Sequence, residues 1–306
     1  MGTVESVRPV QSFDPPAAEC LEKLTQLAAR ALTASQRSLP RLYVIGAPKC
    51  GTSSAWWELQ RTPCCVAGFD KEIEFLGEDL GYLPMFRRGK HIPGKMLATL
   101  WGTPSVQGRL GYRKFFPLKK SLDAVARDHG TSFTLDATPT LLYSKLAPTL
   151  IDEWVSEPRF VVMLREPASR ALSDFRMWNP KARPKEFERA VEDELEGKVH
   201  DFNSMYVEQG LYSTYLPRWL DVFPRSSFMF TTLREFSQSP GEFVNAVLRL
   251  MDAPGVPHWE PDEPQNISGS TAALPSMSFM RALRDFYQPS LRELRELTGV
   301  DLIDPG

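Results

Sequence analysis

The run Leu42-Tyr43-Val44-Ile45-Gly46 is apolar without alternation and passes straight into Gly46-Ala47-Pro48-Lys49-Cys50-Gly51-Thr52-Ser53-Ser54. An unbroken apolar strand is covered on both faces, the condition of a strand inside a parallel sheet. A glycine-bracketed loop after such a strand, followed by helix-forming residues from Ala55 to Leu59, brings backbone N–H groups to a helix N-terminus. The feature argues against all-helical and purely antiparallel folds.

The rest of the chain repeats the alternation. Phe160-Val161-Val162-Met163-Leu164 is a second buried strand, and Pro167 stands at the first position of a helix reaching about Trp178. Ser132 to Leu135 and Phe228 to Thr231 read as two more strands, and Leu211 to Val222 and Glu242 to Leu250 as helices. Met280, Leu283, Tyr287, Leu291 and Leu294 form a helical stripe that Pro289 is expected to break or kink. The expected class is α/β, with a P-loop-like central parallel sheet flanked by helices on both faces. Residues 1–40 read as a polar arm and an amphipathic helix over 17–34 packed on the body; residues 41–306 read as the main domain.

With 306 residues and 42% hydrophobic content, the chain can bury a full core. No apolar run approaches the ~18 residues of a membrane span, and the charged residues Glu5, Arg8, Asp14, Glu19, Glu22 and Lys23 leave no signal-peptide core. Cytoplasmic placement is expected, with the Golgi lumen as the alternative for a truncated sequence. The spacing of Cys20, Cys50, Cys64 and Cys65 fits neither a disulfide framework nor a zinc site, and the histidines do not cluster, so no metal is expected. A net charge of −2 gives no case for nucleic-acid binding. Between Leu80 and Leu122, however, there is no carboxylate and there are nine cations: Arg87, Arg88, Lys90, Lys95, Arg109, Arg113, Lys114, Lys119 and Lys120. Such a run is either a solvated face or the lining of an anion-binding cleft.

The Gly46–Ser53 loop has the glycine spacing of a Walker A loop, but Thr52 follows Gly51 where that motif has lysine, and the lysine stands earlier, at Lys49. The loop can still wrap an oxyanion, with Thr52, Ser53 and Ser54 adding hydroxyls; a plain strand–helix turn is the alternative. A second anion-binding candidate leaves the strand 160–164: Arg165, at the carboxyl end of a buried strand, and Ser173, on the following helix. Arg170 shares a face with Ser173 and reads equally well as a surface ion-pair residue.

Together these motifs resemble the sulfotransferases that use 3′-phosphoadenosine-5′-phosphosulfate (PAPS). Pro48 to Ser53 is similar to their 5′-phosphosulfate loop, and Arg165 to Ser173 to their 3′-phosphate motif. Lys71-Glu72-Ile73-Glu74-Phe75 resembles the catalytic-glutamate segment of the heparan-sulfate and related carbohydrate members. Gly210-Leu211-Tyr212, with Tyr215, Trp219 and Phe223-Pro224, and the tail Leu274-Pro275-Ser276-Met277 resemble them too. The resemblance runs in order over roughly residues 41–298.

It implies in-line transfer of a sulfuryl group from PAPS to an acceptor hydroxyl, leaving adenosine 3′,5′-bisphosphate, without a metal. Lys49 would neutralise the leaving bridging oxygen. The segment from Lys49 through Cys50, Gly51, Thr52, Ser53 and Ser54 would hold the 5′-phosphate, and Arg165 and Ser173 the 3′-phosphate. Glu72 would be the base, Lys71 would bind the transferring sulfonate, and Tyr212 would line the site. Residues 80–122 would form a basic, acceptor-side insertion, which favours an anionic glycan or small molecule. The pattern departs from the family at Glu74, where many members have histidine, and at Ala137, where many carbohydrate members have lysine. Ser268 to Ala273 also lacks the usual cations of a loop closing over the donor. The alternatives are a P-loop kinase and a catalytically dead nucleotide-binding protein on the same fold. Oligomeric state is not legible.

Overall fold

In a computed structural model of the chain, residues 17–80, 103–199, 201–261 and 274–302 are described. Four parallel strands, β1 (Leu42–Gly46), β2 (Leu135–Asp136), β3 (Arg159–Leu164) and β4 (Phe228–Thr232), lie in the order β2-β1-β3-β4. The helices that matter for the site are α1 (Ala17–Ala31), α2 (Thr52–Gln60), α3 (Pro167–Trp178), α4 (Pro240–Leu250) and α5 (Met277–Thr298). Every residue of β1 is buried, which is what its unbroken apolar run requires. The class expected from the sequence, a parallel sheet with flanking helices, is the class found.

Tyr43, Phe160 and Phe228 stand in register on neighbouring strands. Their rings stack at 5.7 and 4.8 Å, so aromatic pairs tie the three strands across one face. Trp219 and Phe223 close over Phe160 at 5.4 and 4.6 Å. The parallel strands end together, so the loops after β1 and β3 meet at one edge of the sheet. Gly46 is required there by packing: a Cβ would lie 2.8 Å from the Leu142 Cβ.

Three elements differ from expectation. The segment 211–222 is two short helices, Tyr212–Tyr215 and Pro217–Leu220, because Pro217 has no N–H to continue the first. β2 is shorter than read: Phe133 turns from β1 to the 64–66 loop, donating to the Cys64 carbonyl at 2.9 Å while its own carbonyl accepts from Val66 at 2.8 Å. Pro289 neither ends nor divides α5, which runs unbroken over 22 residues. Its ring and Asp285, whose carbonyl loses its partner, are both on the exposed side, where water can replace the missing bond.

Helix α1 is anchored to the body. Arg30 donates to the carbonyls of Lys114 and Phe116 at 2.6 and 2.8 Å. Lys23 pairs with Asp70 at 2.7 Å, directly before the Lys71–Phe75 segment. Of the nine cations of the basic run, Arg87, Arg88, Lys90 and Lys95 lie outside the described residues. Lys114 is buried and donates to Gln107, and burial pushes its pKa down to about 8. That cation belongs to the packing, not to a solvated face.

Candidate functional site

The loop after β1 is fixed at its base, where Ala47 donates to the Met163 carbonyl at 2.7 Å, joining β1 to β3. Gly51 closes it with φ 86°, a left-handed conformation that side chains resist; a Cβ there would also meet Leu233 at 2.7 Å. Helix α2 starts without a side-chain cap. The backbone N–H groups of Thr52 and Ser53 are therefore presented at a helix N-terminus, an arrangement suited to an oxyanion. Thr52 is buried and Ser53 half-buried. The Cys50 thiol is buried, and burial pushes its pKa up to about 11.

Lys49 is half-buried, with φ 70°, and its ammonium lies 3.2 Å from the thioether of Met177 on α3. Burial lowers its pKa; attraction from Asp174 and Glu72 opposes this, and repulsion from Arg165 and Lys71 adds to it. Lys49 thus feels the charges of the Lys71–Glu72 pair and of Arg165, which come from segments far apart in sequence.

The second loop works differently. The Glu166 carboxylate caps α3, accepting from the N–H groups of Ala168 and Ser169 at 2.8 and 2.9 Å and from the Ser169 hydroxyl at 2.6 Å. The α3 N-terminus is already filled by the chain's own anion. A phosphate here must be gripped by side chains, and Arg165 and Ser173 are both half-buried beside it.

The Lys71–Phe75 segment hangs on the end of β2. The Glu72 N–H donates to the Ala137 carbonyl at 3.1 Å, and Lys71 N–H to Asp70 at 2.9 Å. The Glu72 side chain is about half exposed and pairs with the Lys71 ammonium. Glu72 has φ 57° and Glu74 φ 56°. With Lys49, the two segments hold three of the five non-glycine residues with positive φ among the described residues, a concentration expected where function constrains the backbone. Glu74, at the family's histidine position, is buried and accepts from Thr140 at 2.6 Å. Ala137 serves through its carbonyl. Ser268 to Ala273 lie outside the described residues.

Tyr212 is fully buried; its hydroxyl donates to the Arg165 carbonyl at 3.0 Å and lies 3.8 Å from the Cys50 sulfur. It joins the two loops from beneath. Arg170 is not at the surface: it is fully buried, bonded to Asp174 at 3.2 Å, Gln209 at 3.3 Å and the Tyr206 carbonyl at 2.6 Å. Burial works against its charge, but Asp174 holds it firmly ionised.

Sequence reasoning missed Asp174, Met177 and Asp136. Asp136, at the end of β2, is buried and accepts from Tyr112 and from Thr138, the latter at 2.6 Å. Burial raises its pKa, opposed by those bonds and by nearby Lys71. The only signal for Asp174 was its i,i+4 spacing from Arg170.

No protein-family model matches the chain. It is 23% identical over 206 residues to mouse heparan sulfate glucosamine 3-O-sulfotransferase 3B1, covering 58% of this chain and 52% of that protein. To human heparan sulfate glucosamine 3-O-sulfotransferase 6 it is 24% identical over 220 residues, covering 64% and 60%. The chain spans about half the length of the first of these curated relatives. Its fold matches the crystal structure of a sulfotransferase from Alicyclobacillus acidocaldarius with a TM-score of 0.61 at 20% identity, over 87% of this chain and 98% of that one. No helix among the described residues is long and apolar enough to cross a membrane. In sequence, then, the chain is similar to heparan sulfate glucosamine 3-O-sulfotransferases, and in fold to a solved sulfotransferase.

Proposed function

We propose that this chain transfers the sulfuryl group of PAPS to a hydroxyl of a carbohydrate or small anionic acceptor. The observation that carries this reading is that the loop with Lys49 after β1, Arg165 after β3 and the Lys71–Glu72 pair held at the end of β2 all come to the carboxyl edge of one parallel sheet. In-line transfer of this kind needs positioning and charge stabilisation rather than covalent chemistry.

In this reading, the backbone of Gly51, Thr52 and Ser53 holds the 5′-phosphate, with Cys50 and Ser54 completing the loop. Lys49 neutralises the bridging oxygen as the bond to sulfur breaks. Its resting partner is a thioether, a weak acceptor it leaves readily. Arg165 and Ser173 hold the 3′-phosphate, which separates PAPS from ATP. Glu72 takes the acceptor's hydroxyl proton, and Lys71, already against it, binds the sulfonate oxygens. Tyr212 keeps the two phosphate loops at a fixed distance from below. The relatives named for heparan sulfate make anionic, glucosamine-containing glycans the first acceptors to screen. A kinase reading is less favoured, because Thr52 stands where the Walker lysine would be.

Thermal unfolding with adenosine 3′,5′-bisphosphate, against ADP and ATP with and without magnesium, tests this. A ligand at 100 times its Kd stabilises by about 2.7 kcal/mol. The bisphosphate should raise Tm, and Arg165→Ala should abolish the rise. A rise with magnesium-ATP alone would overturn the reading in favour of a kinase.

A further inference from the structure

The sequence leaves the donor without the cationic loop that closes over it in many related enzymes. The last helix carries a cation against the same loops. Arg284, on α5, has its Nε 3.6 Å from the Glu166 carboxylate. That carboxylate is already committed to three donors on α3, at 2.8, 2.9 and 2.6 Å. Arg284 is therefore an ion-pair neighbour that makes no hydrogen bond to Glu166, and its Nε, although buried, has no hydrogen-bond partner among the described residues. The side chain as a whole is 42% exposed. A guanidinium carries five donors in a rigid fork. This one is held in place by charge with its fork unspent.

Its position is set by the fold. Glu166 directly follows Arg165, and Glu166, Ser169 and Ser173 recur at spacings that put them on one face of α3. Tyr287, three residues after Arg284, is buried and donates to the Val207 carbonyl at 2.9 Å. That bond fixes the rotation of α5 and turns the Arg284 side of the helix toward α3. Arg284 thus stands at the Arg165 end of the face that ends in Ser173.

We propose that Arg284 is a third anchor for the donor's 3′-phosphate, contributed by the last helix, and that it exchanges Glu166 for the phosphate when the donor binds. The inference rests on the sulfotransferase reading above. A phosphate offers three strong acceptor oxygens to an arginine fork. Glu166 keeps its backbone and hydroxyl donors after the exchange, so the cap of α3 survives it.

The test is calorimetric binding of adenosine 3′,5′-bisphosphate and of adenosine 5′-monophosphate to wild type, Arg284→Ala, Arg284→Gln and, as a control on the same helix, Arg281→Ala. Wild type should prefer the bisphosphate. Arg284→Ala should lose about tenfold or more in bisphosphate affinity, the scale of a charge-assisted bond, with little change for the monophosphate. Arg284→Gln, which keeps the packed stem, should behave alike, and Arg281→Ala should bind as wild type does. Equal affinities in wild type and Arg284→Gln, or equal losses for both nucleotides, would overturn the third anchor while leaving the sulfotransferase reading intact. A wild type with no preference for the bisphosphate would overturn the sulfotransferase reading itself.

Discussion

Lys49 is a cation held partly out of water in a left-handed backbone conformation, against the Met177 thioether and near the Asp174 carboxylate of α3. Burial sets its ammonium below the ordinary lysine value of 10.5. The unfolded chain therefore binds its proton more tightly, and this group's contribution to stability rises with pH through the window between the two values. Lys49→Met should unfold at the same temperature as wild type or higher, yet lose about tenfold or more in affinity for adenosine 3′,5′-bisphosphate. If the protonated ammonium assists the leaving group, the rate should fall as pH rises through the lowered pKa, below 10.5. Lys49→Arg should move that alkaline limb upward in a pH–rate profile. Lys49 and Arg165 were legible because their signals are local: a strand, a tight loop and a helix start within a dozen residues. The links to Asp174 and Met177 were not, because they depend on how α3 crosses the first loop, which packing decides.

At the scale of elements, long periodic segments were read well and short irregular ones were not. Strands β1 and β3 and helix α3 stand where their apolar runs and the proline at N1 put them. The region 211–222 kept its helical character but was divided by one proline, whereas α5 absorbed another whole. The difference is where the freed carbonyl faces. On α5 it faces water, so the helix continues, although an intrahelical bond is still missing. Pro289→Ala should restore that bond and raise stability by about 1–3 kcal/mol in thermal or denaturant unfolding, with donor binding unchanged. A loss of stability would overturn the view that the missing bond at Pro289 is a cost to α5.

Across the whole molecule, Arg170 is a joint whose ion pairing was legible in its spacing but whose complete burial was not. It holds α3 to the segment around Tyr206 and Gln209, beneath both loops of the site. Breaking a buried ion pair leaves an uncompensated charge, so Asp174→Ala should cost about 3–5 kcal/mol. The double variant Arg170→Met with Asp174→Leu should recover part of that loss in denaturant unfolding. Smaller damage in the single variant than in the double would overturn the stranded-charge argument, and a double variant as stable as wild type would show that the pair adds no net stability.

The order of the strands has a kinetic consequence. β1 is made early but is completed on both sides by strands that follow much later in the chain, since Leu42 pairs with Leu135 on one side and Arg159 on the other. Closures of that reach, on the order of 100 residues, slow folding by the entropy lost before any contact forms. The Lys49 loop leaves the ribosome without its counterpart around Arg165, and nothing short of β3 docking can bring the two together. A nucleotide that needs both loops would find no partial site on the way, and would hold the finished sheet alone.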